Sequence, residues 1–178
     1  VAGIAGFYKL EELTNDIFDR FMSINMTSVF ALCREAMPHL KKTKGNIVNF
    51  ASLNSKTMTA YQTAYCASKA AARSFSGGLA MDLALAGSSV KVSSVCPDVI
   101  ATPMMDKQVG FGDHARIVFS GKRALTVEEI GGLILGKVWE QRPMEVSLPS
   151  HTAWLARFAG LKPEWGMWLS KKIEQKGK

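Results

Sequence analysis

The stretch NIVNFASLNSKTMTAYQTAYCASKAAARSF, residues 46–75, decides the fold because its hydrophobic pattern changes partway along. Residues 46–52 follow a glycine and are rich in β-branched and aromatic side chains, which is typical of a short buried strand. Residues 53–62 are polar and predict a loop. The alanine-rich run that follows predicts a helix ending at Gly87. A strand, a loop and a helix in this order begin a crossover between parallel strands.

The sequence before this stretch predicts another helix. Residues 13–42 carry apolar side chains at helical spacing, and Thr14 or Asn15 can cap the first turn. The polar Asn25 falls among the apolar positions of this helix. A buried carboxamide is costly unless it is hydrogen-bonded, so we expect Asn25 to bond backbone or water.

The sequence after this stretch continues the alternation. Residues 89–97 predict a second buried strand, residues 126–141 a helix that begins at Thr126, and residues 144–149 a third strand. Residues 98–125 are irregular and rich in glycine and methionine, as in a loop over a site. The pattern therefore predicts an α/β fold, with a parallel sheet, helices on both faces and ligand sites beyond the carboxyl ends of the strands.

Composition favours one globular domain. The chain has 178 residues, of which 47% are hydrophobic and 21% are charged. The longest apolar runs have strand length, and no basic leader precedes an apolar run, so we expect a cytoplasmic protein. The opening VAGIAGFY lacks a methionine and reads like the interior of a domain, which suggests a fragment.

The distribution of charged residues, cysteines and histidines favours neither a nucleic-acid partner nor a metal site. The net charge of +7 is concentrated in short lysine clusters at the ends of helices, which favours solvated helix ends over a nucleic-acid surface. Three widely spaced cysteines and three scattered histidines form no metal-ligand spacing, so we expect reduced thiols and no metal.

Tyr65 and Lys69 lie four positions apart, so a helix places both side chains on one face. A free phenol has a pKa near 10 and is a poor acid or base at neutral pH. A nearby ammonium favours the phenolate, so Lys69 is expected to lower the pKa of Tyr65. Taken alone, the pair is more often an ordinary solvated pair on a helix surface.

Three further polar residues change that interpretation. Ser52 ends a buried strand, where its hydroxyl can donate to a carbonyl oxygen rather than only satisfy a turn. Asn25 lies on the inner side of the preceding helix, although it also fits a local helix kink. Thr102 follows the second strand and can hold an amide, although it also fits a loop cap.

These residues occur in motifs that resemble the short-chain dehydrogenase/reductase family in order and spacing. The motifs are INMTSVF with Asn25, NFAS with Ser52, YCASK with Tyr65 and Lys69, and CPDVIATPM with Thr102. The resemblance implies that residues 1–150 are the C-terminal portion of a Rossmann-like, doubly wound parallel sheet within a three-layer α/β/α domain. It also implies an oxidoreductase that transfers hydride between NAD or NADP and a carbonyl or secondary alcohol.

The resemblance assigns roles to four of the residues. Tyr65 would be the catalytic acid/base, and Lys69 would lower its pKa and bind the nicotinamide ribose. Ser52 would orient and polarise the substrate carbonyl. Asn25 would hold a water in a proton relay to Lys69. The Met-rich loop over residues 100–118 suggests a hydrophobic substrate.

The loop after the second strand would face the cofactor. By resemblance, Pro97, Val99 and Thr102 lie against the nicotinamide, with Thr102 near its carboxamide. Asp98 follows Pro97 where the family usually has glycine, and we expect it to weaken cofactor binding.

The family's glycine-rich turn, which carries the pyrophosphate, has no match in this sequence. We therefore expect the 178 residues alone to turn over substrate poorly. The alternative is a truncated, non-catalytic chain that acts as a binding or oligomerisation partner.

The remaining expectations concern partners. By resemblance, the helices that carry Asn25 and Tyr65 build the interface of a homodimer or homotetramer. Residues 151–178 combine tryptophans with basic residues and predict an amphipathic helical tail. The tail suits packing over the pocket or a neighbouring subunit, and less well a peripheral membrane contact.

Overall fold

Three parallel strands form the sheet of the computed structural model, which describes residues 2–112, 115, 119 and 123–149. They are β1 (Asn46–Phe50), β2 (Lys91–Pro97) and β3 (Glu145–Leu148), in the order β1-β2-β3. Phe50 lies opposite Val95, and Val95 lies opposite Val146. The predicted α/β fold with a parallel sheet is confirmed.

A long helical run precedes β1. It consists of α1 (Asn15–Met22), a π-helical segment (Ser23–Thr27) and α2 (Ser28–Thr43). Thr14 is the cap, because its hydroxyl accepts a hydrogen bond from Ile17 N at 3.3 Å. The helix predicted for residues 13–42 is thus present, with a π-helical turn inside it. A short 3₁₀ turn, Leu10–Glu12, lies before it.

Helix α3 (Thr63–Leu85) connects β1 to β2 and carries Tyr65 and Lys69. A second 3₁₀ turn, Leu53–Ser55, lies between β1 and α3. Gly87 has a φ of 65°, and Ser88 N donates to Leu83 O at 2.9 Å. This left-handed turn ends the helix as the sequence predicts, since glycine adopts positive φ without a steric cost.

Two helical elements lie between β2 and β3. Helix α4 (Pro103–Val109) falls in the stretch predicted to be irregular. Proline at the first helical position needs no N–H partner and has a fixed φ, so it can start a helix that hydrophobic periodicity does not reveal. Helix α5 (Val127–Leu133) begins at the predicted Thr126 cap and continues into a π-helical segment, Ile134–Trp139.

The helices pack on opposite faces of the sheet. On one face, Ile47 and Val92 pack with Cys33 of α2 and Leu83 of α3. A second buried cluster lies on the other face and comprises Val95, Leu125, Ile130, Val138, Val146 and Leu148. Helices on both faces are therefore confirmed. Because α3 and α5 lie on opposite faces while the strand order runs in one direction, the two crossovers have opposite hands.

Two sequence expectations concern parts of the chain without described structure. The amphipathic tail predicted for residues 151–178 lies outside the described residues, as does part of the loop predicted over residues 98–125. Within the described part of the chain, no helix is both long enough and apolar enough to cross a membrane.

Gly87→Ala should destabilise the fold by about 1 kcal/mol, because alanine pays a steric cost at positive φ. The matched control is Gly78→Ala in the exposed middle of α3, where an added Cβ meets nothing within 4 Å. This control should stabilise by up to about 1 kcal/mol, since alanine has the better helix propensity. Urea unfolding measures both changes, and equal effects of the two substitutions would contradict the assigned helix end.

Candidate active site

The carboxyl ends of β1 and β2 open into a cavity of about 440 Å³. Strand ends, the first turns of α3 and the segment leading into α4 form its walls. Six of the seven predicted site residues line it: Ser52, Tyr65, Lys69, Pro97, Val99 and Thr102. The topology therefore collects at one place residues that are up to fifty positions apart in the sequence.

Lys69 joins the helix α3 to the strand β1. Its Nζ donates to the carbonyl oxygen of Phe50 at 2.9 Å, and the side chain is buried. Burial lowers the pKa of Lys69 to about 8. An ammonium has three N–H donors, so the bond to Phe50 leaves two for a ligand in the cavity.

The pKa of Tyr65 is raised, mainly by burial of the phenol and partly offset by a hydrogen bond from the Ser52 hydroxyl. The net shift is upward because desolvation outweighs the hydrogen bond from Ser52. The ammonium of Lys69 is bonded to Phe50, and the expectation that Lys69 lowers the pKa of Tyr65 stays a prediction. Tyr65 is thus a protonated donor at neutral pH.

Ser52 is held by its own backbone and by the 3₁₀ turn that follows it. Its φ is −167°, and its hydroxyl accepts from Asn54 N at 3.2 Å. Its carbonyl oxygen accepts from the Ser55 hydroxyl at 2.5 Å and from Ser55 N at 3.0 Å. Because the hydroxyl accepts from Asn54, its proton stays available to Tyr65 or to a substrate oxygen.

Asn25 is buried as predicted, but it lies behind the cavity rather than on its wall. It sits in the π-helical segment, a local distortion that is frequent near functional sites. Its Oδ1 accepts from Ile4 N at 2.9 Å, and its Nδ2 donates to Ile4 O and to Ser68 Oγ, both at 3.0 Å. These bonds fix the opening segment against α3; the relay role of Asn25 stays a prediction.

The absence of a side chain on Gly3 leaves space next to the two polar residues. A Cβ atom built on Gly3 would lie 3.4 Å from Asn25 Oδ1 and 3.9 Å from Lys69 Nζ. Gly3 also lines the cavity. Any larger side chain here would fill the space in front of the Lys69 ammonium, so this glycine keeps the cation accessible to a ligand.

The segment after β2 is fixed by backbone hydrogen bonds. Asp98 N donates to Leu148 O at 2.7 Å, and Leu125 N donates to Val99 O at 2.9 Å. The Thr102 hydroxyl donates to Ile100 O at 3.3 Å, which leaves its oxygen free to accept from an amide. Pro97, Val99 and Thr102 thereby form one wall of the cavity.

Sequence reasoning missed an amide chain in the cavity wall, formed by Asn54, Gln62 and Gln108. Asn54 Nδ2 donates to Gln62 Oε1 at 2.7 Å, and Gln62 Nε2 donates to Gln108 Oε1 at 2.9 Å. Gln62 is only 2% exposed. The signal in the sequence was the position of Gln62 directly before the predicted helix, three residues ahead of Tyr65.

Apart from Asp98, the rest of the cavity wall is apolar. The lining residues of this kind are Phe50, Ile100, Met104, Met105, Phe119, Val127 and Ile130. The methionines come from the Met-rich stretch that the sequence analysis singled out. A few polar groups in a mostly apolar wall suit an organic molecule with a polar reacting group.

The chain is similar to dehydrogenases of one family. The family model described as "short chain dehydrogenase" matches residues 1–110. The chain is 30% identical to a D-beta-hydroxybutyrate dehydrogenase of Rhizobium meliloti, covering 75% of this chain and 57% of that protein. It is 35% identical to a cyclopentanol dehydrogenase of a Comamonas species, covering 82% of this chain and 53% of that protein. The chain spans about half the length of these curated relatives.

Solved structures share the fold. A 4-hydroxyisoleucine dehydrogenase mutant complexed with NADH and succinate matches with a TM-score of 0.70 at 23% identity, over 83% of this chain and 64% of that one. A short-chain dehydrogenase from Streptomyces avermitilis also gives a TM-score of 0.70, at 22% identity, over 99% of this chain and 69% of that one.

The lowered pKa of Lys69 predicts a pH-dependent stability. Between pH 8 and 10 the unfolded chain binds the lysine proton that the folded chain has lost, so the free energy of unfolding should rise with pH. We expect a slope about 1 kcal/mol per pH unit larger in the wild type than in Lys69→Met. Urea unfolding at several pH values measures this difference, and parallel pH profiles would show that Lys69 is not desolvated.

Proposed function

This chain belongs to the short-chain dehydrogenase family, and from that premise we propose that it provides the proton-transfer part of an NAD(P)-dependent oxidoreductase site. The observation that carries the proposal is the convergence of Ser52, Tyr65 and Lys69 on one cavity at the carboxyl ends of the strands. The presence of all three side chains there favours an enzyme over a non-catalytic binding or oligomerisation partner. The reaction interconverts a carbonyl compound and a secondary alcohol.

Proton transfer is the task of Tyr65. Because burial raises its pKa, the phenol is protonated at neutral pH and can donate to a substrate carbonyl oxygen as that oxygen gains charge. The Ser52 hydroxyl donates to the same oxygen and stabilises the developing alkoxide. In the reverse direction the phenol first releases its proton to solvent, and the resulting phenolate takes the proton of the alcohol.

The donors at the cavity wall fit a nicotinamide cofactor, NAD or NADP, which would supply or accept the hydride when bound. The two remaining N–H donors of Lys69 suit ribose hydroxyls, and the space in front of Gly3 keeps them accessible. Pro97 and Val99 offer an apolar surface to a planar ring. Thr102 has an acceptor oxygen for a carboxamide N–H.

The apolar wall supports a hydrophobic substrate. Side chains from β1, α4 and α5 contribute apolar surface to the cavity wall. The named activities of related proteins agree with an alcohol or ketone, since one relative is a cyclopentanol dehydrogenase and another, from Comamonas testosteroni, is a 3-beta-hydroxysteroid dehydrogenase.

Tyr65→Phe should abolish turnover, because the reacting oxygen loses its proton donor while the ring still fills its place. Cofactor binding should stay nearly intact. The assay uses the protein expressed from its complete reading frame, with ketone-dependent oxidation of NADH or NADPH as the first readout and cofactor titration as the second.

The matched control is Tyr8→Phe. Tyr8 lies outside the cavity wall, and its ring contacts Phe21 and Phe111, which phenylalanine would retain. This variant should keep wild-type rates. Activity retained in Tyr65→Phe would refute the role of Tyr65, and loss of activity in both variants would point to a general effect of removing a phenol.

We also propose that the helices α2 and α3 form the interface of a homodimer or homotetramer. Large apolar side chains remain exposed on these helices, namely Phe30, Leu32, Met81 and Leu85. Phe30 and Phe75 pack edge to face at 5.9 Å, which joins the two helices into one surface. Large exposed apolar side chains on adjacent helices are typical of protein interfaces.

Leu32→Glu should lower the molar mass in solution, because a carboxylate at a buried interface must be desolvated. Leu32 is 70% exposed, and Leu135 on the opposite face of the sheet is 68% exposed, so Leu135→Glu is a matched control. The control should retain at least a dimer. Sedimentation analysis measures both masses, and an unchanged mass in Leu32→Glu would place the interface elsewhere.

A further inference from the structure

The amide chain of Asn54, Gln62 and Gln108 connects three separate elements at the cavity. Asn54 lies in the 3₁₀ turn after Ser52, Gln62 precedes the first residue of α3, and Gln108 lies near the end of α4. Gln62 and Gln108 are 46 positions apart, so their bond at 2.9 Å is a tertiary contact. All three residues line the cavity.

The hydrogen bonds within the amide chain leave some of its N–H donors unused. A primary amide has two N–H donors on its nitrogen. Asn54 uses one for Gln62 Oε1, Gln62 uses one for Gln108 Oε1, and Gln108 directs one to Met104 O at 3.5 Å. Each amide nitrogen thus keeps a second N–H that these bonds do not use. A ligand group that contacts these N–H donors must carry a hydrogen-bond acceptor.

The position of the amides relative to the reacting group is set by α3. Gln62 is the N-cap residue of α3, three positions before Tyr65, and both residues line the cavity. The amide chain and the phenol therefore face the same cavity. A substrate whose reacting oxygen meets Tyr65 can extend a second group to these donors.

We propose that the amide chain binds a second, uncharged oxygen atom of the substrate, such as an ester or ketone oxygen. This assignment rests on the proposed function, because it concerns the same cavity and names the substrate class. Neutral donors compensate the burial of an uncharged oxygen more fully than that of a carboxylate, for which a cationic partner is the usual solution. Among the described residues of the cavity wall, the one lysine is Lys69, and the proposed cofactor ribose takes the N–H donors that its bond to Phe50 leaves. An oxo ester suits the site better than the matching oxo acid.

The experiment measures kcat/KM for ketone reduction by the protein expressed from its complete reading frame. The probes are ethyl 3-oxobutanoate and methyl 5-oxohexanoate, their free acids, and the unfunctionalised ketone 2-heptanone. The variants are Gln62→Leu and Gln108→Leu. The second variant keeps the test informative if leucine at the buried position 62 impairs folding, since Gln108 is only partly buried. The control is Gln141→Leu at an exposed position.

The wild type should prefer an ester over 2-heptanone by roughly 3- to 10-fold, the range expected for one neutral hydrogen bond. Each of the two glutamine variants should remove that preference by lowering the rate with the ester alone. Gln141→Leu should keep the preference.

Two results would overturn the inference while the proposed function stands. The first is an equal kcat/KM for esters and 2-heptanone in the wild type. The second is an equal loss of kcat/KM with every probe in both glutamine variants, which would indicate that the amides only hold α4 in place. A preference for the free acids would also overturn it. If no probe supports cofactor oxidation, the proposed function fails together with the inference.

Discussion

The hydrogen bond from Lys69 Nζ to the Phe50 carbonyl oxygen is the contact on which the site depends. It joins the helix that carries Tyr65 to the strand that leads into Ser52. A charged donor on a neutral carbonyl gives a shorter and stronger bond than two neutral groups. Because the Lys69 side chain is buried, breaking the bond would leave its ammonium without this partner in a largely desolvated position. The relative position of the phenol and the serine hydroxyl is therefore tightly fixed.

The parts of the site that follow local periodicity could be predicted from the sequence. Tyr65 and Lys69 share a helix face because they are four residues apart, and Ser52 and Pro97 reach one edge because parallel strands end there. The burial of Asn25 also followed from its place among apolar positions. Each of these conclusions needs only the repeat of a helix or strand and the direction of the chain.

The parts that depend on tertiary contacts could not be predicted. The direction of the Tyr65 pKa shift depends on how much water the fold removes, which spacing does not reveal. The bond between Gln62 and Gln108 forms only once α4 has folded over the cavity. The opposite hands of the two crossovers could not be predicted either, because the same order of elements allows α5 on either face of the sheet.

Burial acts in opposite directions on the two titrating groups, and this decides the protonation state of the site. Desolvation disfavours charge, so it raises the pKa of Tyr65 and lowers the pKa of Lys69 to about 8. Near pH 7 both groups hold their protons, and a carbonyl oxygen in the cavity meets donors from Ser52 and Tyr65. As the pH rises through 8, Lys69 loses its charge before the phenol titrates. Further desolvation of the cavity would separate the two pKa values still more. The raised pKa of Tyr65 makes the protonated phenol the stable form over the neutral range.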